Sequence, residues 1–226
     1  FIECFTRFVN NLKEKPILSE IVYNTLTQDY ITISSKDARC WLKEKTGINL
    51  LDGFILHVGG NQWYKNRGGV IEIYNRWRDI SSLSYPLLMI GSAPTPLLRQ
   101  QSVSSPYTKD IYRIENADDQ PVNYAYRGAS VFLFPSLAEG FGWPIIEAMA
   151  NDCIVVTTND DPMREVAGDA AFLIPRRDIS RRLSKDWADE SAVILKTIFN
   201  MSENEISICI ERGKLNLLRF DIHYIT

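Results

Sequence analysis

The sequence is poor in metal ligands: its 226 residues include two histidines and four cysteines. Cys4, Cys40, Cys153 and Cys209 stand far apart with no Cys-x-x-Cys pair, which argues against a zinc site or a dense disulfide framework and for reduced thiols in a cytoplasmic protein. No apolar run approaches the roughly 20 residues needed to cross a bilayer, and no basic leader with a small-residue cleavage site opens the chain. Positive charge is not in excess either. With a formal net charge of −3 and a pI near 5.5, a broad electrostatic footprint for nucleic acid is absent, and any basic site must be local. Internal repeats and low-complexity tracts are missing. The first residue is Phe1, so the chain reads as a fragment, or as the ordered part of something longer.

What is present fits a globular chain. Hydrophobic residues make up 45% and charged residues 23%, enough to bury one large core or two small ones. Short β-rich runs recur at "GFILHVG" (53–59), "YPLLMIG" (85–91), "ASVFLFP" (129–135), "CIVVTT" (153–158) and "AAFLI" (170–174), with "IYRI" (111–114) a weaker member. Their near-continuous hydrophobicity marks strands buried on both faces. Helical patterns lie between them at 67–80, 121–129, 144–150 and 162–168, three with Pro near the start and one closed by Gly168. Alternating strand and helix predicts an α/β, Rossmann-like doubly wound parallel sheet. Two further helices, at 187–200 and 203–220, predict a helical C-terminal extension. Before residue 50 the patterns read as helices at "ECFTRFVNNL" and "LSEIVYNTL", a strand at "DYITISS", and a helix from "KDARCWLKEKTG" ending at Gly47. That is too little for a domain with its own core.

The segment "SLAEGFGWPIIEAMANDCIVV" (136–156) carries the chemistry. It falls where a strand hands over to a helix, and in a doubly wound sheet ligands bind beyond the carboxyl ends of strands. Gly140 and Gly142 open backbone conformations closed to other residues. Pro144 sets the first helical position and leaves neighbouring N–H groups free, an arrangement that attracts an anion such as phosphate. Glu139 in the loop and Glu147 in the first helical turn can face one cleft and accept hydrogen bonds from sugar hydroxyls. Ordinary turn chemistry and helix capping account for the same residues without a ligand.

"FPSLAEGFGWPIIEAMA" closely resembles the E-x7-E segment of the retaining glycosyltransferases of family 4. Three further segments fall in that family's order: "FILHVGGNQWYKNRGGVIEIY", "DDPMREVAGDAAFLI" and "LKTIFNMSENEISICIERGKLNLLRF". The likeness runs over roughly residues 53–220. It implies the C-terminal, donor-binding half of a GT-B architecture, with a nucleotide sugar as partner and an unidentified saccharide, lipid or protein as acceptor. By resemblance, Glu139 meets the transferred sugar and Lys65 neutralises the diphosphate; these are the implied catalytic pair. Glu147 holds the ribose, and Gly140, Phe141, Gly142, Trp143 and Pro144 form the donor cradle together with Gly60 and Asn66. The family's arginine after the first strand is replaced by Gly59-Gly60, so Arg67 stands as its substitute or as a plain surface residue. No cofactor and no metal are implied, and no Asp-x-Asp motif occurs.

Other residues carry two readings each. His57 is better explained as a satisfied core residue than as a base. Asn116 to Gln120 lie where the family contacts the base, with a poor match. Arg164 and Glu165 either orient a cleft loop or form a surface pair. Trp63 and Trp143, beside the cleft, either stack on sugar or pack. The run "RRDISRR" (176–182) is a solvated connection or, as the minority reading, a peripheral contact with a membrane surface. Residues 1–50 are expected to be a remnant of the N-terminal acceptor domain and linker, and residues 51–226 the Rossmann-like nucleotide-sugar-binding domain. The runner-up function is a nucleotide-sugar-binding module without catalysis.

Overall fold

The structure is a computed structural model that describes residues 33–178, 180 and 185–221. The expected helices at 3–12 and 18–26 lie outside these residues, as does most of the strand expected at 29–35; Ser35, its last residue, is helical instead. By their contacts the described residues up to Leu217 form one compact unit.

All six expected strands form, and they make one parallel sheet. In chain order they are β1 (Ile55–Val58), β2 (Leu87–Gly91), β3 (Ile111–Glu115), β4 (Val131–Phe134), β5 (Val155–Thr158) and β6 (Ala171–Ile174). Across the sheet the order is β3-β2-β1-β4-β5-β6, the doubly wound arrangement in which the chain reverses direction between β1 and β4. β4 and β5 are buried along their full length, which is why their sequences do not alternate.

Helices cover both faces. α1 (Ser35–Thr46) starts at Ser34, whose hydroxyl caps Asp37 N–H at 3.1 Å, and stops at Gly47 with φ 73°. α2 (Arg67–Ile80), α3 (Pro96–Val103) and α7 (Lys185–Phe199) lie on one side, and α2 and α7 pack Val70, Ile71, Tyr74, Trp77, Trp187 and Leu195 over Ile55, Met89, Leu133 and Val156. α4 (Asp119–Gly128) lies on the other, where Tyr126 meets Phe132 at 5.2 Å between ring centres. The remaining helices are α5 (Trp143–Ala150), α6 (Met163–Ala167) and α8 (Glu203–Leu217). α3 has no counterpart among the helices expected from the sequence.

The helix before residue 50 packs onto the sheet's own layer. α1 belongs to the same unit as the sheet: Trp41 stacks on Tyr124 of α4 at 4.1 Å, and Arg39 Nε donates to Gly128 O at 2.7 Å.

The sheet opens where its direction reverses. β1 pairs with β2 through Val58, yet its pairing with β4 ends at Leu56–Phe132. His57 occupies the split, fully buried, with Nδ1 3.0 Å from Leu133 O. The carboxyl ends of β1 and β4 therefore diverge and leave room between the two loops that follow them.

Candidate functional site

Two loops build the site from opposite sides of that split. After β1 the chain makes a short 3-10 turn, Trp63–Lys65, ended by Asn66 at φ 49°. After β4 it runs through Ser136 to Gly142 and enters α5. Leu137 N–H donates to Tyr64 O at 2.7 Å and Asn66 Nδ2 donates to Pro135 O at 3.0 Å, so the loops are fixed to each other.

The pairing brings together residues 74 positions apart. Lys65 Nζ donates to both carboxylate oxygens of Glu139, at 2.8 and 3.0 Å, and Ser136 Oγ donates to Oε1 at 2.6 Å. The two charged side chains are only 14% and 8% exposed. The ammonium also lies 5.0 Å from the centre of the Phe134 ring, a cation–π contact. Lys65 is thus held by two short-range partners at the lip of the sheet.

Glu147 is the fifth residue of α5, one position further along than the sequence reading placed it and so just past the first turn, because the helix starts at Trp143 and puts Pro144 in its second position. Burial raises its carboxyl above the usual glutamate range, while the Tyr126 hydroxyl, donating at 3.1 Å, and the charge of Lys65 pull it back down. The influence of Lys65 on both glutamates makes it the electrostatic centre of the site. Tyr126 and Ser136 escaped the sequence reading; the only signal was the apolar period of "NYAYRGA" and a serine directly after a strand.

The amino end of α5 is open. Gly142 precedes it at φ 109°, and no side chain caps it. Pro144 has no N–H and Ile145 N–H turns back to Gly142 O at 2.9 Å, so it is the Trp143 N–H that this end offers to an anion, which the partial positive charge of the helix end favours. Gly140 differs from the expectation: its φ is not positive, and a Cβ there would meet nothing within 4 Å, so its use is space. Phe141 stands edge-on to Trp143 at 5.1 Å, and Trp143 is 37% exposed.

Three residues of the expected cradle have internal partners. Asn66, 6% exposed, also accepts from Arg177 Nη1 at 2.8 Å and so ties the turn to the segment after β6. Arg67 Nη1 donates to Asn61 Oδ1 at 2.6 Å and Ser92 O at 2.8 Å, which turns it toward the end of β2. Gly60 packs beneath the Gln62 side chain. Arg67 is thus neither a plain surface residue nor drawn up beside Lys65.

The other candidates sort themselves by geometry. Burial lowers the pKa of His57 to about 4, so it is a neutral wedge in the sheet. Arg164 pairs with Asp161 at 2.7 Å on the surface. In the basic run, Arg176 faces Asp160 at 3.3 Å and Arg177 binds Glu72 at 2.7 Å, so both charges are matched internally; residues 179, 181 and 182 lie outside the described set. No helix among the described residues is long and apolar enough to cross a membrane. Hollows of about 380 and 330 Å³ lie at the amino edge of the sheet, around Gly53 and Ser130, away from all these groups.

Comparison with known proteins bears on the family and the fold. The O-antigen chain mannosyltransferase B of Escherichia coli is 30% identical over 144 residues, 62% of this chain and 38% of its own length. The chain thus spans about two fifths of that relative. A structure of Anabaena Alr3699/HepE in complex with UDP and glucose superposes with a TM-score of 0.67 at 18% identity, covering 83% of this chain and 49% of that one. The C-terminal domain of a glycosyl transferase group 1 family protein (LpcC) from Francisella tularensis superposes with a TM-score of 0.64 at 20% identity, covering 87% and 96%. The model of the family described as "Glycosyl transferases group 1" matches residues 53–188, more than half the chain, and the chain belongs to that family.

Proposed function

We propose that this chain is the donor-binding part of a retaining glycosyltransferase, which moves a sugar from a nucleoside diphosphate to an acceptor hydroxyl. The observation that carries the reading is the Lys65–Glu139 pair at the point where the sheet reverses, next to the open end of α5. The HepE neighbour, which holds UDP and glucose, supports the same reading.

In this account the diphosphate lies between the Lys65 ammonium and the N–H groups around Gly142 and Trp143. Lys65 exchanges one anionic partner for another when the donor arrives. Glu139 is then free to accept hydrogen bonds from the sugar, while Ser136 keeps its carboxylate in place. Glu147, held by Tyr126, accepts from the ribose hydroxyls. As the bond from sugar to phosphate breaks, negative charge grows on the diphosphate, and a cation and a helix end already in place stabilise it without reorganising. The acceptor hydroxyl enters on the face the phosphate leaves and gives its proton to the departing phosphate oxygen. No step is routed through a metal or a side-chain base.

Donor turnover tests the reading. Incubation with UDP-, GDP- and ADP-sugars and saccharide acceptors should release one nucleoside diphosphate, with retained anomeric configuration by NMR. An inverted product contradicts the mechanism. Tight nucleotide binding without release, alone or with the remaining part of a longer protein, turns the reading to a nucleotide-sugar-binding module.

A further inference from the structure

The turn that carries Lys65 has a second face. Trp63, two residues before the lysine, is 66% exposed, which overturns packing as its purpose. Tyr64 braces the indole edge-on at 6.0 Å and 84°. Across from it Leu97, in the first turn of α3, is 71% exposed. The two line one hollow of about 250 Å³. Scattered exposed apolar residues need no explanation, but two of the most exposed large ones converging on one concavity beside the site do.

Polar groups complete that hollow. Gln62, Thr95 and Gln101 line it. The Gln101 amide nitrogen donates to Gly68 O at 2.9 Å, which fixes the side chain, whereas Gln62 is held by its backbone carbonyl, which accepts from Lys65 N–H at 3.0 Å, and its side-chain amide has no hydrogen bond among the described residues. Beneath lies Arg67, 6% exposed, whose hydrogen-bond acceptors are neutral oxygens and whose Nε has no partner. The floor is therefore an incompletely matched cation. An indole with a few convergent amides and a hydroxyl suits a ligand with one apolar face and a rim of hydroxyls. The volume lies below the roughly 300–1,000 Å³ of pockets that enclose drug-sized molecules, so it suits a single ring.

We propose that the hollow between Trp63 and Leu97 holds one pyranose residue of the acceptor, stacked on the indole, with its oxygens toward Gln62, Gln101 and the cationic floor. This rests on the reading of the neighbouring site as the donor pocket: the shared turn sets the acceptor ring next to the sugar being transferred. It makes the acceptor a saccharide, or a molecule that presents one.

Saturation-transfer NMR on the chain, with methyl glycosides of mannose, glucose, galactose and N-acetylglucosamine as probes, tests it. At least one glycoside should receive saturation through its ring protons, and Trp63→Ala should weaken that binding by roughly fivefold or more. Leu97→Ser should weaken it too, and a thermal melt of each variant checks that these exposed positions leave the fold intact. UDP, GDP and ADP are titrated in parallel. If a nucleoside diphosphate binds and no glycoside does, or if the glycoside signal ignores Trp63→Ala, the proposal is overturned. It is equally overturned if Trp63→Ala abolishes self-association in the ultracentrifuge and spares glycoside binding, because the patch is then a protein interface. Trp63-dependent glycoside binding without any nucleotide binding sustains the hollow and counts against the donor pocket alone.

Discussion

The Lys65 ammonium lies 2.8 and 3.0 Å from the two carboxylate oxygens of Glu139, joining the loop after β1 to the loop after β4. Each side chain shields the other from being a buried, uncompensated charge. Lys65→Met should lower kcat by about 10²–10³-fold, the range for losing one preorganised group that meets developing negative charge. It should also cost roughly 3 kcal/mol of stability, because Glu139, 8% exposed, is left without its ammonium partner. Adding Glu139→Gln should restore most of the stability and none of the activity. A denaturant-melt double-mutant cycle with independent effects would contradict the pairing.

Glu147 trades stability for binding. Burial raises its folded pKa above the unfolded value, so the unfolded chain gives up the proton first as pH rises, and stability falls from about pH 4.5 upward. Glu147→Gln should therefore be more stable than the parent at pH 7, with the gain vanishing below about pH 4.5. The same substitution should abolish nucleoside diphosphate binding. Thermal melts at several pH values, with and without nucleotide, measure both effects.

His57 works in the opposite direction. Its folded pKa of about 4 lies below the ordinary 6.5, so the unfolded chain takes up the proton first. Stability is full above pH 6.5 and is lost as pH falls toward 4. At about 1.4 kcal/mol per pH unit the loss reaches about 3 kcal/mol. His57→Gln, which keeps a donor for Leu133 O, should flatten the acid limb of the stability profile between these pH values.

Six strands and most of the helices were legible because the strands are apolar throughout and the helices between them carry ordinary start and stop residues. Even β3, the weaker candidate, forms, its modest hydrophobicity matching an edge strand that is only partly buried. α3 was hidden: Thr95 caps it and Pro96 opens it, but both sit in "GSAPTPLL", which reads as a loop. Glu139, Glu147 and Lys65 stand out by motif, whereas the Lys65–Glu139 bond arises only when β1 and β4 become neighbours. Arg67 misleads for the same reason, since its partners Asn61 and Ser92 are set by the approach of β1 to β2.

That approach is itself testable. Gly91 has φ 148°, and a Cβ there would point directly onto the carbonyl oxygen of Gly59. Gly91→Ala should cost at least about 2 kcal/mol, roughly 4–8 °C in Tm, and should displace the turn that carries Lys65. An unchanged Tm would mean that β1 and β2 do not meet in this register.

Calorimetric titration of the chain with UDP, GDP and ADP, repeated on Glu147→Ala and Lys65→Met, tests the central claim most directly. The account predicts that one nucleoside diphosphate binds the parent chain, that Glu147→Ala removes the binding, and that Lys65→Met weakens it by an amount that shrinks at high salt. A folded chain that binds none of the three, or binds one equally well after both substitutions, would contradict a donor pocket at the divergence of β1 and β4.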